Sequence, residues 1–116
     1  YNLIKNDLKN IIDFKNWDKI VTHNPDGEYG HIHHKMTSKI VTDLVHNKSK
    51  FYYFNKTYTL KEYIENNIPK TINKEKCNKK KTLFDKFYKS QANLTVRYLS
   101  DYEKVTSYDE WLEKFL

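Results

Sequence analysis

The stretch Trp17-Asp18-Lys19-Ile20-Val21-Thr22-His23-Asn24-Pro25-Asp26-Gly27-Glu28-Tyr29-Gly30-His31-Ile32-His33-His34 decides how this chain is read. Its first part, Trp17 to Thr22, is rich in β-formers and predicts a short strand. The part after His34 carries Met36, Ile40, Val41, Leu44 and Val45 on one helical face, which predicts a helix from about His33 to about His46-Asn47. Between them lies a turn holding four of the five histidines, both glycines and one of the two prolines. In open α/β folds ligands bind at such strand-to-helix turns, because strand ends and helix N-termini converge there.

Outward from the turn, Leu3, Ile4, Leu8, Ile11 and Ile12 recur at helical spacing, so residues 2 to 14 read as an amphipathic helix. Phe51-Tyr52-Tyr53-Phe54 reads as a buried strand. The order α-β-α-β predicts an α/β fold with a parallel sheet and right-handed crossovers. Further along, Thr57 to Leu60 is read as strand or turn, and Leu60 to Asn66 as a short helix or loop closed by Pro69. A third helix is predicted from about Lys74 to Ser90, with Leu83, Phe84, Phe87 and Tyr88 as its apolar side. Val96, Tyr98 and Leu99 mark another short segment. Ser107-Tyr108-Asp109-Glu110 has the spacing of a capping box, opening a last helix docked by Trp111, Leu112, Phe115 and Leu116.

Composition narrows the functional classes. At 116 residues with 38% hydrophobic content the chain is a single domain or part of one, with a modest core supplemented by 16% aromatics. The net charge of +6 would permit contact with phosphates, but Arg97 is the only arginine, and arginine is the usual base-reading residue. Nucleic acid is therefore not the expected partner. One cysteine, Cys77, excludes an internal disulfide framework and a cysteine-rich zinc site. No apolar run reaches the length of a membrane helix, no signal peptide is visible, and the default expectation is a cytoplasmic protein. The abrupt opening in Tyr1-Asn2-Leu3-Ile4, with no initiating methionine, suggests that residues precede it.

Within the turn, His31 and His34 are three apart and share one side if a helix begins near His31. The partial positive charge of a helix N-terminus favours neutral imidazole, the form a metal requires. Tyr29 offers a phenolic donor for a developing oxyanion, and Asp26 and Glu28 are candidate ligands or partners of ligands. Against this, two histidines at a helix start can simply cap a loop. A catalytic zinc commonly takes three protein ligands, and the chain has no second histidine cluster. His46 lies at the far end of the helix, and His23 is read as fixing the strand end.

The run Thr22-His23-Asn24-Pro25-Asp26-Gly27-Glu28-Tyr29-Gly30-His31-Ile32-His33-His34 resembles the second motif of the zinc-dependent LmbE-like deacetylases, which include the N-acetylglucosaminyl-phosphatidylinositol de-N-acetylases (PIG-L). Lys86-Phe87-Tyr88-Lys89-Ser90-Gln91 is similar to a Lys-x-x-x-Tyr-x-Ser-Gln segment on a later helix of that family. The resemblance spans residues from about 17 to 91. It implies a Rossmann-like three-layer fold, a Zn2+ cofactor, and hydrolysis of the N-acetyl group of an amino sugar in a small molecule, glycan or glycolipid. By position, His34 matches the zinc ligand. His31 matches the histidine that stabilises charge or transfers a proton, and Tyr29 matches the oxyanion-stabilising tyrosine. His33 departs from the family, standing where Asp, Gln or Glu is usual. The family's first motif, His-Pro-Asp-Asp, has no match here. The expectation is thus the C-terminal portion of a deacetylase. A non-catalytic binding module is the alternative, and a lysine-rich nucleic-acid binder with steep salt dependence a more distant one.

Overall fold

A computed structural model describes residues 1–57, 64–65, 74–90 and 104–116. The chain divides into two compact units, residues 1–57 with 103–116, and residues 58–102. In the first unit, helix α1 (Asn2–Asp13) is followed by strand β1 (Ile20–Thr22), the short turn-helix α2 (Gly27–Gly30) and helix α3 (Ile32–Leu44). A 3-10 turn, Lys48–Lys50, leads into strand β2 (Phe51–Phe54). The second unit contributes helix α4 (Lys74–Phe87), and the chain returns to the first unit with strand β3 (Val105–Ser107) and helix α5 (Tyr108–Phe115).

The sheet has the order β1-β2-β3. β1 and β2 run parallel, with Ile20, Val21 and Thr22 opposite Phe51, Tyr52 and Tyr53. β3 is antiparallel to β2, pairing Tyr53 with Thr106 and Phe54 with Val105. The α/β class predicted from the sequence therefore holds, but the sheet among the described residues is mixed rather than parallel. The chain returns to β2 from its far side through a strand too short to announce itself by alternation.

The aromatic run of β2 does not bury every side chain. Phe51 and Tyr53 point into the core, while Tyr52 and Phe54 are half-buried on the opposite face, as the two-residue repeat of a strand requires. Trp111 of α5 is buried against the Tyr53 ring at 5.5 Å and the Phe115 ring at 4.5 Å. Val41 and Val45, from α3 and the residue that caps it, complete the core cluster with Phe51, Tyr53 and Trp111. Leu8 and Ile12 of α1 and Ile20 of β1 pack around its edge. The predicted face of α3 is correct at Ile40, Val41 and Val45, whereas Met36, near the helix start, stays about one third exposed at 36%.

The strand predicted from Trp17 shrinks to three residues because Trp17 has another task. Its indole N–H donates to the Ile11 carbonyl at 2.9 Å, an acceptor at the end of α1 that also takes the Phe14 N–H at 3.3 Å. α5 starts where the capping box placed it: Ser107 Oγ accepts from the Glu110 N–H at 3.3 Å. Lys48 donates to the Thr42 carbonyl and lies 5.1 Å from both the Phe51 and Tyr108 rings; burial lowers its pKa, with the Asp43 charge opposing.

In the second unit, α4 ends at Phe87 instead of continuing to Ser90, and residues 89–90 form a 3-10 turn. Its predicted apolar side is mostly open: Leu83, Phe87 and Tyr88 are exposed, and Tyr88 stacks on Phe84 at 5.5 Å. The Lys79-Lys80-Lys81 run is solvated in part, with Lys81 paired to Asp85 at 2.6 Å. The expectations for residues 58–63, 66–73 and 91–103, including Pro69, Val96, Tyr98 and Leu99, lie outside the described residues, as does the side chain of Cys77. No helix among the described residues is long and apolar enough to cross a membrane.

Candidate metal centre at the end of strand β1

β1 ends at Thr22, and the residues that follow turn the chain into α3. Asn24 organises that turn. Its side chain is fully buried and makes four hydrogen bonds. Nδ2 donates to the carbonyls of Phe54 and Asn55 at 3.1 and 3.2 Å, tying the turn to the end of β2. Oδ1 accepts from the backbone N–H groups of Asp26 and Glu28 at 2.9 and 3.1 Å. An aspartate could not donate and an alanine could do neither, so the asparagine amide is matched to this position.

The backbone beyond Asn24 is tight. Gly27 has φ +66°, and a Cβ there would sit 2.9 Å from Lys35 Cγ and 3.3 Å from His34 Cβ. Its hydrogen side chain therefore lets the turn close onto the first turn of α3. Gly30 also has positive φ, +90°, but faces open space. Between them Glu28 adopts φ 60°, ψ −69°, although it is not a glycine. These angles are close to those of the γ-turn of positive φ, which is rare and strained.

The Glu28 side chain is 8% exposed and gathers the site. Oε1 accepts from the Asn24 N–H at 3.1 Å. Oε2 meets Nδ1 of His23 at 2.9 Å and Nδ1 of His34 at 2.8 Å. The two imidazoles stack with centroids 3.9 Å apart and planes 7° from parallel. A carboxylate accepts, so each Nδ1 carries a proton, and in the neutral ring each Nε2 then keeps its lone pair. His31 is the reverse. It caps α3, its Nδ1 accepting from the His33 N–H at 3.2 Å, so its proton is on Nε2.

The predicted site residues thus lie together but in different roles. His34 is in the cluster, and the rings of His31 and Tyr29 lie 4.6 and 5.4 Å from its ring. Tyr29 is 65% exposed. His33 is exposed, its ring edge-on to His31, and His46 lies beyond the far end of α3. His23, read from the sequence as fixing the strand end rather than binding metal, belongs to the cluster. Together with Glu28 and His34 it offers ligand atoms within 4.8 Å of one another, and this group can hold a metal ion. Their spacings of five and six residues share no single helical or strand repeat. Only the bend at Glu28 brings them together.

No family model matches the chain, and no solved structure matches it. It is similar to "Uncharacterized protein L374" of Acanthamoeba polyphaga mimivirus, at 44% identity over 55 residues. The match covers 47% of this chain and spans about a quarter, 24%, of that relative's length.

Proposed function

We propose that this chain carries part of the active centre of a zinc-dependent N-deacetylase, hydrolysing the N-acetyl group of an amino sugar in a glycan, glycolipid or smaller molecule. The observation that carries the reading is the opposite tautomers of two histidines one helical turn apart. His34 presents a bare Nε2, the form a zinc ligand must have, while His31 presents an Nε2–H donor beside it. Together with the motif resemblance, this favours zinc over the hard cations, which take oxygen ligands. The Rossmann-like fold implied by that resemblance belongs to the same proposal.

In this reading His34 holds the metal, with Glu28 fixing its ring through Nδ1. Bound zinc would polarise the amide carbonyl and acidify a water. His31 donates a hydrogen bond from Nε2 towards negative charge developing on the substrate. The exposed Tyr29 phenol, edge-on to His34, donates to the oxyanion once substrate covers it. The chain has no His-Pro-Asp-Asp, so the proposal is confined to what these residues supply.

The test is zinc content and deacetylase turnover of the native protein on N-acetylglucosamine-containing glycolipids and glycans. His34→Ala should abolish zinc binding or weaken it severely. Tyr29→Phe should keep the zinc and lower turnover by about 10²–10³, the scale of one lost oxyanion donor. Unchanged turnover in Tyr29→Phe removes that residue from the mechanism, and a native protein that takes up no zinc removes the proposal. The 116-residue chain alone should bind zinc weakly and show no turnover.

A further inference from the structure

We infer that Glu28 is the positioning residue of the loop. One oxygen of its carboxylate fixes His23 and His34 as a matched pair of Nε2 donors, which makes His23 a second nitrogen ligand for a zinc-class cation. The inference rests on the metal-binding part of the function proposed above and is independent of amide hydrolysis.

Three observations carry it. The first is the backbone. A glycine would take φ 60°, ψ −69° without strain, and glycines already stand at 27 and 30. The turn by itself gives no reason for a carboxylate at its most strained position. A strained non-glycine residue persists where its surroundings over-determine it, and such residues cluster at functional sites. Here the Glu28 N–H is held by Asn24 Oδ1 and the side chain by three donors.

The second is the count of lone pairs. A carboxylate oxygen accepts about two hydrogen bonds, and Oε2 has its two from His23 and His34. Acting as a ligand through that oxygen, Glu28 would have to release a histidine. As an acceptor from Nδ1–H it does what carboxylates beside metal-bound histidines commonly do. It fixes the tautomer, orients the ring and raises the basicity of the far nitrogen.

The third is the symmetry of the pair. His23 and His34 come from opposite ends of the turn, yet they meet the same oxygen at nearly equal distances with rings almost parallel. Whatever Glu28 does for His34 it does equally for His23. His31, although 4.6 Å from His34 by ring centroids, takes no part in this pairing.

The experiment is a long-range proton–nitrogen correlation spectrum of the imidazoles in the 15N-labelled full chain. It is recorded at mildly alkaline pH, first metal-free and then with added zinc, alongside zinc titration of the variants. The expected result is Nδ1–H on both His23 and His34 throughout, with zinc shifting both Nε2 resonances. Glu28→Gln keeps the size of the side chain but has one accepting oxygen and one donating nitrogen. It should flip at least one histidine to Nε2–H and weaken zinc binding about 10–100-fold. Glu28→Gly relieves the turn, so it should keep the melting temperature while losing zinc affinity to a similar extent. That separates positioning from folding.

Zinc on Nδ1 of either ring, with Nε2–H retained, overturns the inference and makes Glu28 a ligand. Unchanged tautomers and affinity in Glu28→Gln also overturn it. If His34→Ala loses zinc while His23→Ala does not, the second-ligand role fails and the proposed function stands. Zinc held as described in a native protein without deacetylase turnover does the opposite.

Discussion

The turn from Thr22 to His34 and the corner where β2 meets α5 are held together by different physics. The corner is aromatic: Phe51, Tyr53, Tyr108, Trp111 and Phe115 lie within 4.5–6.1 Å of one another in the ring pairs they form. Such contacts are weakly directional and scale with buried area, so shape matters more than the identity of any single atom. The turn is held by directional bonds radiating from two side chains, Asn24 and Glu28, around a backbone that carries strain. The corner stabilises the fold, and the turn orients the side chains of His23, Glu28 and His34. Their responses to substitution should separate accordingly.

The largest effect belongs to the corner. Trp111→Ala should destabilise by about 3–5 kcal/mol, the range for removing a large buried aromatic, whereas Trp111→Phe should lose much less because the apolar contact survives in part. Chemical denaturation measures both, and a loss under about 1 kcal/mol for the alanine variant would mean the core lies elsewhere. Next comes Asn24→Ala, which strands two backbone N–H groups and two carbonyls and should lose about 2–3 kcal/mol. Asn24→Asp keeps the acceptor but points a charged oxygen at the Phe54 and Asn55 carbonyls, so it should rescue little. Wild-type stability in that variant would break the contrast between directional and non-directional regions.

Tyr53→Phe is smaller, about 1 kcal/mol, since only the hydroxyl bonded to Thr42 at 2.8 Å is lost. It also has a pH signature. Burial is the main cause that raises the Tyr53 phenol above its ordinary value of about 10. The folded state then holds this proton more tightly than the unfolded chain does. The stability involved is fully present below about pH 10 and is lost as the pH rises from there through the raised folded value. The variant lacks this loss, so its gap from wild type should narrow at alkaline pH. A gap that widens would reverse the sign. Smallest is Glu28→Gly, where relief of about 1–3 kcal/mol of backbone strain offsets the lost hydrogen bonds. Its net change in melting temperature should be near zero.

The same division governs what can be read from the residues in order. α1, α3, β2 and α5 follow from apolar spacing and from the Ser107–Glu110 capping pattern, because periodicity is a local property of sequence, although in α1 only Leu8 and Ile12 pack on the core while Leu3, Ile4 and Ile11 stay exposed. β3 does not, since three residues that end on the helix cap itself, Ser107, leave no room for alternation, and nothing local specifies that they pair antiparallel. In the turn, the motif singles out His34, His31 and Tyr29. The sharing of Glu28 Oε2 by His23 and His34 is not legible, because it depends on a bend that a glutamate does not ordinarily make. The tautomers likewise follow from partners that only the folded turn supplies.

The four bonds of Asn24 have a consequence for the tempo of the molecule. The amides of Asp26 and Glu28 lie in a connecting segment, where exchange with solvent deuterium is ordinarily fast. Their acceptor, however, is the side chain of a fully buried residue latched to the end of β2. These two hydrogens can leave only when that latch opens. They should therefore exchange on the slow timescale of the sheet rather than the fast one of a loop, giving the turn the protection of the core it is fastened to.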